Sequence, residues 1–162
     1  MRQKLAIAFV FASIACITSI AYPAEETQVL TFTLSHATSR EAATVVRTIV
    51  GVKKFEVADD HTIMIHDTQK NLDLAAAVVK MLDTTDETAD TTPLPAGDGS
   101  VIAVVVLDRA SSVEVMHALR QELRIARIAT LGEKRIFLRD TDSQIQAALK
   151  AIERIEGKPE DS

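Results

Sequence analysis

The feature that most constrains this chain is an internal repeat. When the sequence is displaced by 73 positions, identical residues coincide along it and the register continues without a gap. The identical pairs include Leu34 with Leu107, Ala37 with Ala110, Ser39 with Ser112, Glu41 with Glu114, Arg47 with Arg120 and Ile63 with Ile136. Self-similarity at one fixed offset indicates two copies of one structural unit. We therefore expect a tandem fold.

Each copy predicts the order strand, helix, strand, strand, helix. In the first copy Leu30, Phe32 and Leu34 alternate with polar residues, which is the period of a strand with one buried face. Thr38 and Glu41 then have the spacing of a capping box, and an amphipathic helix, a hairpin and a second amphipathic helix follow. We expect an α+β fold of two tandem β-α-β-β-α modules, each a three-stranded sheet with two helices on one face.

The repeat also sets the expected domain boundaries. The modules cover residues 28–84 and 100–157, and a short tail covers residues 158–162. Residues 85–99 contain four acidic residues and no basic residue, so we expect a flexible linker that buries nothing. On this pattern the two modules fold independently.

The N-terminus has the pattern of an export signal. Arg2 and Lys4 precede an apolar stretch over residues 5–14, and small residues permit cleavage after Ala21 or Ala24. We therefore expect residues 1–24 to be a signal peptide and the mature protein to be periplasmic.

Two alternatives remain for this segment. One is a membrane anchor that is not removed, although the strongly apolar stretch is nearer the ~10 residues of a signal core than the ~20 of a spanning helix. The other is lipoprotein processing at Ser13-Ile14-Ala15-Cys16, with acylation of Cys16.

The charge of the mature chain argues against nucleic-acid binding. Loss of Arg2 and Lys4 leaves 16 basic against 23 acidic residues, a net charge of −7. Contacts with phosphates need clustered basic residues. A KH-type domain has similar element types, but this chain has no GxxG clamp between helices.

The sequence does not predict an enzyme, a metal site or a cofactor. His61 and His66 lie five residues apart beside one strand, so their side chains project to opposite faces. Asp59 and Asp60 suit a turn, and Asp67 suits a helix start. Gly-rich phosphate loops and GxSxG elbows do not occur in the sequence.

The polar landmarks of both copies resemble one family. In the first copy they are Leu34, Ala37, Glu41, the segments 57–59 and 63–68, and Leu82-Asp83. In the second copy they are Leu107, Ala110, Glu114, Ile136 and Asp140-Thr141. This pattern resembles the secretin N-terminal domain, also called the NolW-like domain, over about residues 28–84 and 100–157.

The resemblance implies a role in assembly. Secretin N-terminal domains stack as periplasmic rings in outer-membrane secretins of type II and type III secretion, type IV pili and phage export. They contact inner-membrane components or substrates. Because the sequence ends at Ser162 without a strand-rich channel region, the resemblance implies an accessory subunit with a secretin or inner-membrane secretion components as partners. The alternative is a periplasmic module that binds peptides or cell-wall fragments.

The two copies differ on the sheet face that is expected to carry no helix. Thr31, Thr33 and Met64 of the first copy correspond to apolar residues in the second. If that face meets water, its apolar side chains have no role in folding and mark a partner surface. The predicted surface and its charged rim are Ile102, Val104, Val106, Phe137, Arg135 and Arg139. The alternatives are self-association and a cover formed by the linker or the first module.

We expect the exported protein to lack its first 21 to 24 residues, because the signal sequence is removed during export. Intact-mass measurement of protein from a periplasmic extract checks this. A mass that retains Met1 contradicts it, and a diacylglycerol adduct on Cys16 supports the lipoprotein alternative.

Overall fold

The computed structural model describes residues 27–84, 92–125 and 127–157, and these residues form two β-α-β-β-α modules. The expected α+β class is confirmed. The predicted signal peptide with Cys16, the first part of the predicted linker and the tail lie outside the described residues.

The first module is a three-stranded antiparallel sheet with two helices. Its elements are β1 (Gln28–Thr33), α1 (Ser39–Ile49), β2 (Lys54–Asp59), β3 (Thr62–Asp67) and α2 (Gln69–Leu82). The strand order is β1-β3-β2, so β3 lies in the centre. Ile63 and Ile65 of β3 are fully buried among the residues of α1 and α2, which places both helices on one face.

The second module repeats this order and adds a strand. Its elements are β4 (Leu94–Pro95), β5 (Ser100–Val106), α3 (Ser112–Glu122), β6 (Arg127–Leu131), β7 (Arg135–Thr141) and α4 (Asp142–Ile155). The strand order is β4-β5-β7-β6. This sheet has four strands, so the expected count of three is wrong for the second module.

The additional strand β4 lies inside the predicted linker. Ala96 after it is buried, so the expectation that residues 85–99 bury nothing is wrong for this part. The chain reverses through Gly97 and Gly99, whose φ angles of 75° and 83° favour glycine. Asp98 stabilises the reversal by accepting a hydrogen bond from the Ser100 N–H at 3.0 Å. The turn through Gly97, Asp98 and Gly99 therefore joins β4 to β5 as a hairpin.

Both first helices begin at the predicted capping boxes. The Thr38 hydroxyl accepts from the Glu41 N–H at 3.3 Å, and the Glu41 carboxylate accepts from the Thr38 N–H at 3.0 Å. Ser111 and Glu114 form the same box 73 residues later. These reciprocal bonds satisfy backbone donors that a helix start leaves without partners.

The residue after each second helix closes its module. The Asp83 carboxylate accepts hydrogen bonds from the three consecutive N–H groups of residues 35–37 at 2.8 to 3.1 Å. Burial opposes ionisation of this carboxyl, but the three donors together outweigh it and hold the pKa of Asp83 below its ordinary value. Glu156 accepts from the N–H groups of residues 108–110 at 2.9 to 3.0 Å. Each carboxylate thus ties a helix end to the loop before the first helix of its module.

The two modules share one of the two hydrophobic cores, and the other core lies within the second module, so the expectation of independent modules is wrong. Helix α1 packs on its own sheet and also against β6 and β7 of the second module, and buried residues of α2 belong to the same cluster as Ile102, Val104 and Phe137. Helix α1 is accordingly buried on more sides than α3. Val45 and Ile49 are fully buried, whereas their counterparts Ala118 and Glu122 are half-buried and exposed. The layers are sheet, helices, sheet, helices.

None of the helices in residues 27–84, 92–125 and 127–157 is both long and apolar enough to cross a membrane.

We expect Phe137→Ser to lower the free energy of unfolding by about 3 to 5 kcal/mol, because Phe137 is fully buried between the modules. Met64→Ser is the matched control, since Met64 occupies the equivalent position on the first sheet and is half-buried. We expect it to cost less than about 1.5 kcal/mol. Urea denaturation measures both, and a Phe137 variant as stable as the wild type would contradict the shared core.

Candidate functional site

The apolar face predicted to bind a partner is covered by the first module. Ile102, Val104 and Phe137 are at most 1% exposed and belong to one core with α1 and α2. Val106 at the end of β5 is half-buried. The prediction that these side chains meet water is wrong, and the alternative of a cover formed by the first module is correct. The physical reason is that α1 carries apolar side chains that pack both on its own sheet and on the second sheet.

Arg139, predicted as a rim charge, is a buried clamp between the modules. Its side chain is 7% exposed. One terminal nitrogen, Nη1, donates to the carbonyls of Ile49 and Val50 at 2.8 and 3.2 Å, which end α1. The other, Nη2, donates to Asp98 Oδ2 at 2.7 Å, and Nε donates to the Ser100 hydroxyl at 2.8 Å. Arg139 therefore connects the C-terminus of α1 to the β4–β5 turn.

Arg135 has the same role at the other first-module helix. Its Nη1 donates to the carbonyl oxygens of Leu82 and Thr84 at 3.0 and 2.9 Å, where α2 ends. The last carbonyls of a helix carry partial negative charge and lack partners within the helix. Two arginines of β7 thus cap the two helices of the other module.

The carboxyl that faces Arg139 is held ionised. Hydrogen bonds from the Ser100 hydroxyl and N–H, followed by the Arg139 guanidinium, hold the pKa of Asp98 well below its ordinary value. Asp98 is about half exposed, so water screens part of its attraction to Arg139. Arg139 keeps its salt bridge at pH values above the ordinary pKa of aspartate, and the bridge weakens as the pH falls toward the lowered pKa.

The equivalent face of the first sheet carries different side chains. His66 stands where the second module has Arg139, and its Nε2 lies 3.3 Å from Oε1 of Glu56 on the neighbouring strand. These two side chains meet on the sheet, and Thr31 and Thr33 beside them are exposed. This face is polar where its counterpart is apolar.

Exposed apolar side chains are concentrated on the outer strands of the first sheet. Val29 and Leu30 on β1 are 54% and 37% exposed, and Val57 on β2 is 51% exposed. Val113 on α3 and Ile155 on α4 are exposed on the opposite side of the molecule. Val29 lies on the helix-free face of this sheet, whereas Leu30 and Val57 lie opposite Ile65 and Ile63 on the helix side, at the two edges.

A polar cleft lies at the junction of the modules. It has a volume of about 160 Å³ and is lined in part by His36, Glu41, Glu133 and Lys134. Lys134 Nζ donates to the carbonyls of residues 108–110 at 3.2 to 3.4 Å, so its charge is used within the second module. The residues that the structure describes hold no group of three or more His, Cys, Asp or Glu placed to bind a metal ion.

No protein-family model matches this chain, and no curated protein matches it. One solved structure is similar, a chain from the "Atomic model of the Salmonella SPI-1 type III secretion injectisome basal body proteins InvG, PrgH, and PrgK". The two chains are 11% identical with a TM-score of 0.32, and the match covers 81% of this chain and 30% of the other. This chain thus spans under a third of the length of the chain it matches.

We expect Arg139→Met to lower the free energy of unfolding by about 2 kcal/mol, because it leaves the carbonyls that end α1 without their donor and Asp98 without its cation. Arg127→Met is the matched control: Arg127 lies directly opposite on β6 and is exposed. Urea denaturation at neutral pH compares them. Equal stabilities of the two variants would contradict the clamp.

Proposed function

We propose that this chain is an exported, non-enzymatic assembly protein that joins protein components of a secretion system. Secretins and inner-membrane secretion components are the partners that follow from its resemblance to secretin N-terminal domains. The observation that carries the proposal is the contact between the modules, where the helices of one pack on the sheet face of the other. Modules that stack on one another in this way suit a layered assembly.

The shared core supports a role as a rigid unit. Two modules joined only by a flexible linker would present their surfaces at variable angles. In this chain the contact buries large apolar side chains, and Arg135 and Arg139 cap the helices across it. A partner that touches both modules therefore meets a single preformed surface, which lowers the entropy lost on binding.

The first sheet is the surface that we propose for the protein partner. Its helix-free face presents Val29 beside exposed threonines, Lys54 and Glu56, and Leu30 and Val57 are exposed at the two edges of the sheet, on the helix side. A mixture of apolar and polar side chains is typical of interfaces between proteins that also exist separately.

Three acidic residues have structural roles in the fold. Asp59 accepts from the His61 N–H at 2.8 Å in the hairpin turn, and this bond lowers its pKa. Asp83 and Asp98 also have lowered pKa values because they accept hydrogen bonds within the fold. A general acid or base at neutral pH works best with a pKa near 7. These carboxyls are suited to holding loops.

We expect a photo-crosslinking amino acid at Val57 to capture a secretin or an inner-membrane secretion component in the native host. Val57 is exposed on the first sheet, so the replacement leaves the core intact. Arg154 on α4 is the matched position, because it is exposed on the opposite side of the molecule. Mass spectrometry identifies the captured proteins. Capture of peptidoglycan fragments or free peptides at Val57 would contradict the proposal.

A further inference from the structure

Among the described residues, strand β1 pairs with another strand on one side only. It lies at the edge of the first sheet and pairs with β3 on its other side. The Leu34 N–H donates a hydrogen bond of 2.7 Å to the His61 carbonyl, in the turn that precedes β3. Peptide groups of successive residues in an antiparallel strand point to opposite sides, so those of Val29, Thr31 and Thr33 point to the open edge.

The other sheet edges in the described residues carry features that discourage pairing. Strand β2 has Lys54, Glu56 and Asp59 and a register shift before its end. Strand β4 has only two residues, one of them Pro95. Strand β6 begins with Arg127 and packs against α1. Strand β1, with the sequence QVLTFT, has no charge, proline, glycine or bulge. Edge strands without such features pair readily with other strands.

The second module shows that this edge of the fold accepts an antiparallel strand. There β4 pairs with β5, and the Ala96 N–H bonds the Ser100 carbonyl at 2.9 Å. Ile102, which lies opposite Leu94 in this pairing, is the counterpart of Val29. The peptide groups that receive β4 in the second module are therefore the equivalents of those that β1 leaves open.

The sequence does not repeat the turn that delivers β4. That turn uses positive φ angles at Gly97 and Gly99. The residues 73 positions earlier are Ala24 and Glu26, whose side chains disfavour positive φ. The sequence before β1 therefore does not repeat the Gly-Asp-Gly of that turn.

We propose that the β1 edge binds the β1 edge of a second copy of this chain, antiparallel, about a two-fold axis at Thr31. This register places Thr31 opposite its own copy and Val29 opposite Thr33, so outward-pointing peptide groups meet each other. It also places Leu30 opposite Phe32 on the helix side of the sheet, which covers the exposed part of Leu30. The result is one continuous six-stranded sheet across the dimer.

The chemistry of β1 suits pairing with a second copy about a two-fold axis, because no like charges meet and Phe32 of one copy lies opposite Leu30 of the other. A two-fold axis places each residue near its own copy, so a charged edge would oppose like charges. The six residues of β1 are uncharged, whereas β2 would bring its lysine and its two acidic residues close to their copies. This proposal goes beyond the proposed function, since it uses only the geometry of one strand.

The test uses the mature protein and its variants in sedimentation velocity over a concentration series. The wild type should dimerise. Thr31→Lys and Thr31→Glu should each raise the dimer dissociation constant at least about tenfold, because like charges meet at the axis. An equimolar mixture of the two variants should recover the dimer, because opposite charges then face each other. Circular dichroism checks that each variant is folded.

Val57→Lys is the matched control, because it places the same charge on the other edge strand at an exposed position. We expect this variant to dimerise like the wild type. A monomeric wild type, a Thr31→Lys variant that dimerises normally, or a mixture that does not recover would each overturn the proposal. If Thr31→Lys instead abolishes capture of a secretion component by a monomeric wild type, the second copy is the wrong occupant and the proposed function stands.

Discussion

The contact between α1 and the second sheet is the interaction on which the rest of the structure depends. Each module has about 60 residues, a size at which one core gives marginal stability. Ile102, Val104 and Phe137 become fully buried only because the first module covers them. Burial of each large apolar side chain contributes about 1.5 to 3 kcal/mol. The contact therefore accounts for a substantial part of the stability of a protein whose described residues include no cysteine.

Two arginines fix the relative orientation of the modules at this apolar contact. Apolar surfaces attract each other without a preferred rotation. Arg135 and Arg139 each donate to the last carbonyls of a particular helix, and those bonds form at one angle only. Hydrophobic burial thus holds the modules together, while the hydrogen bonds select a single arrangement of the layers.

Local structure was predictable because it depends on local spacing. The strand and helix order follows from periods of two and 3.6 residues. The capping boxes at Thr38 and Ser111 follow from the three-residue spacing to Glu41 and Glu114. The cover on the second sheet was not predictable in this way, because burial of a face depends on residues distant in the chain. One signal was present: Ile49 is apolar where its counterpart Glu122 is charged. The sequence does not predict strand β4, because its two residues, one of them Pro95, are too few to show a period.

The two outermost layers of the described residues present polar side chains to solvent. Contacts between unlike surfaces, such as a helix pair on a sheet, ordinarily permit another unit to be added indefinitely. Here the first sheet presents Thr31 and Glu56 outward, and α3 presents Glu122 in an ion pair with Arg154 at 3.1 Å. Both outer surfaces are more polar than the contact between the modules, where Ile102, Val104 and Phe137 are buried. Because both modules belong to one chain, the contact between them forms at an effective concentration that the connection sets and that the amount of protein present does not change.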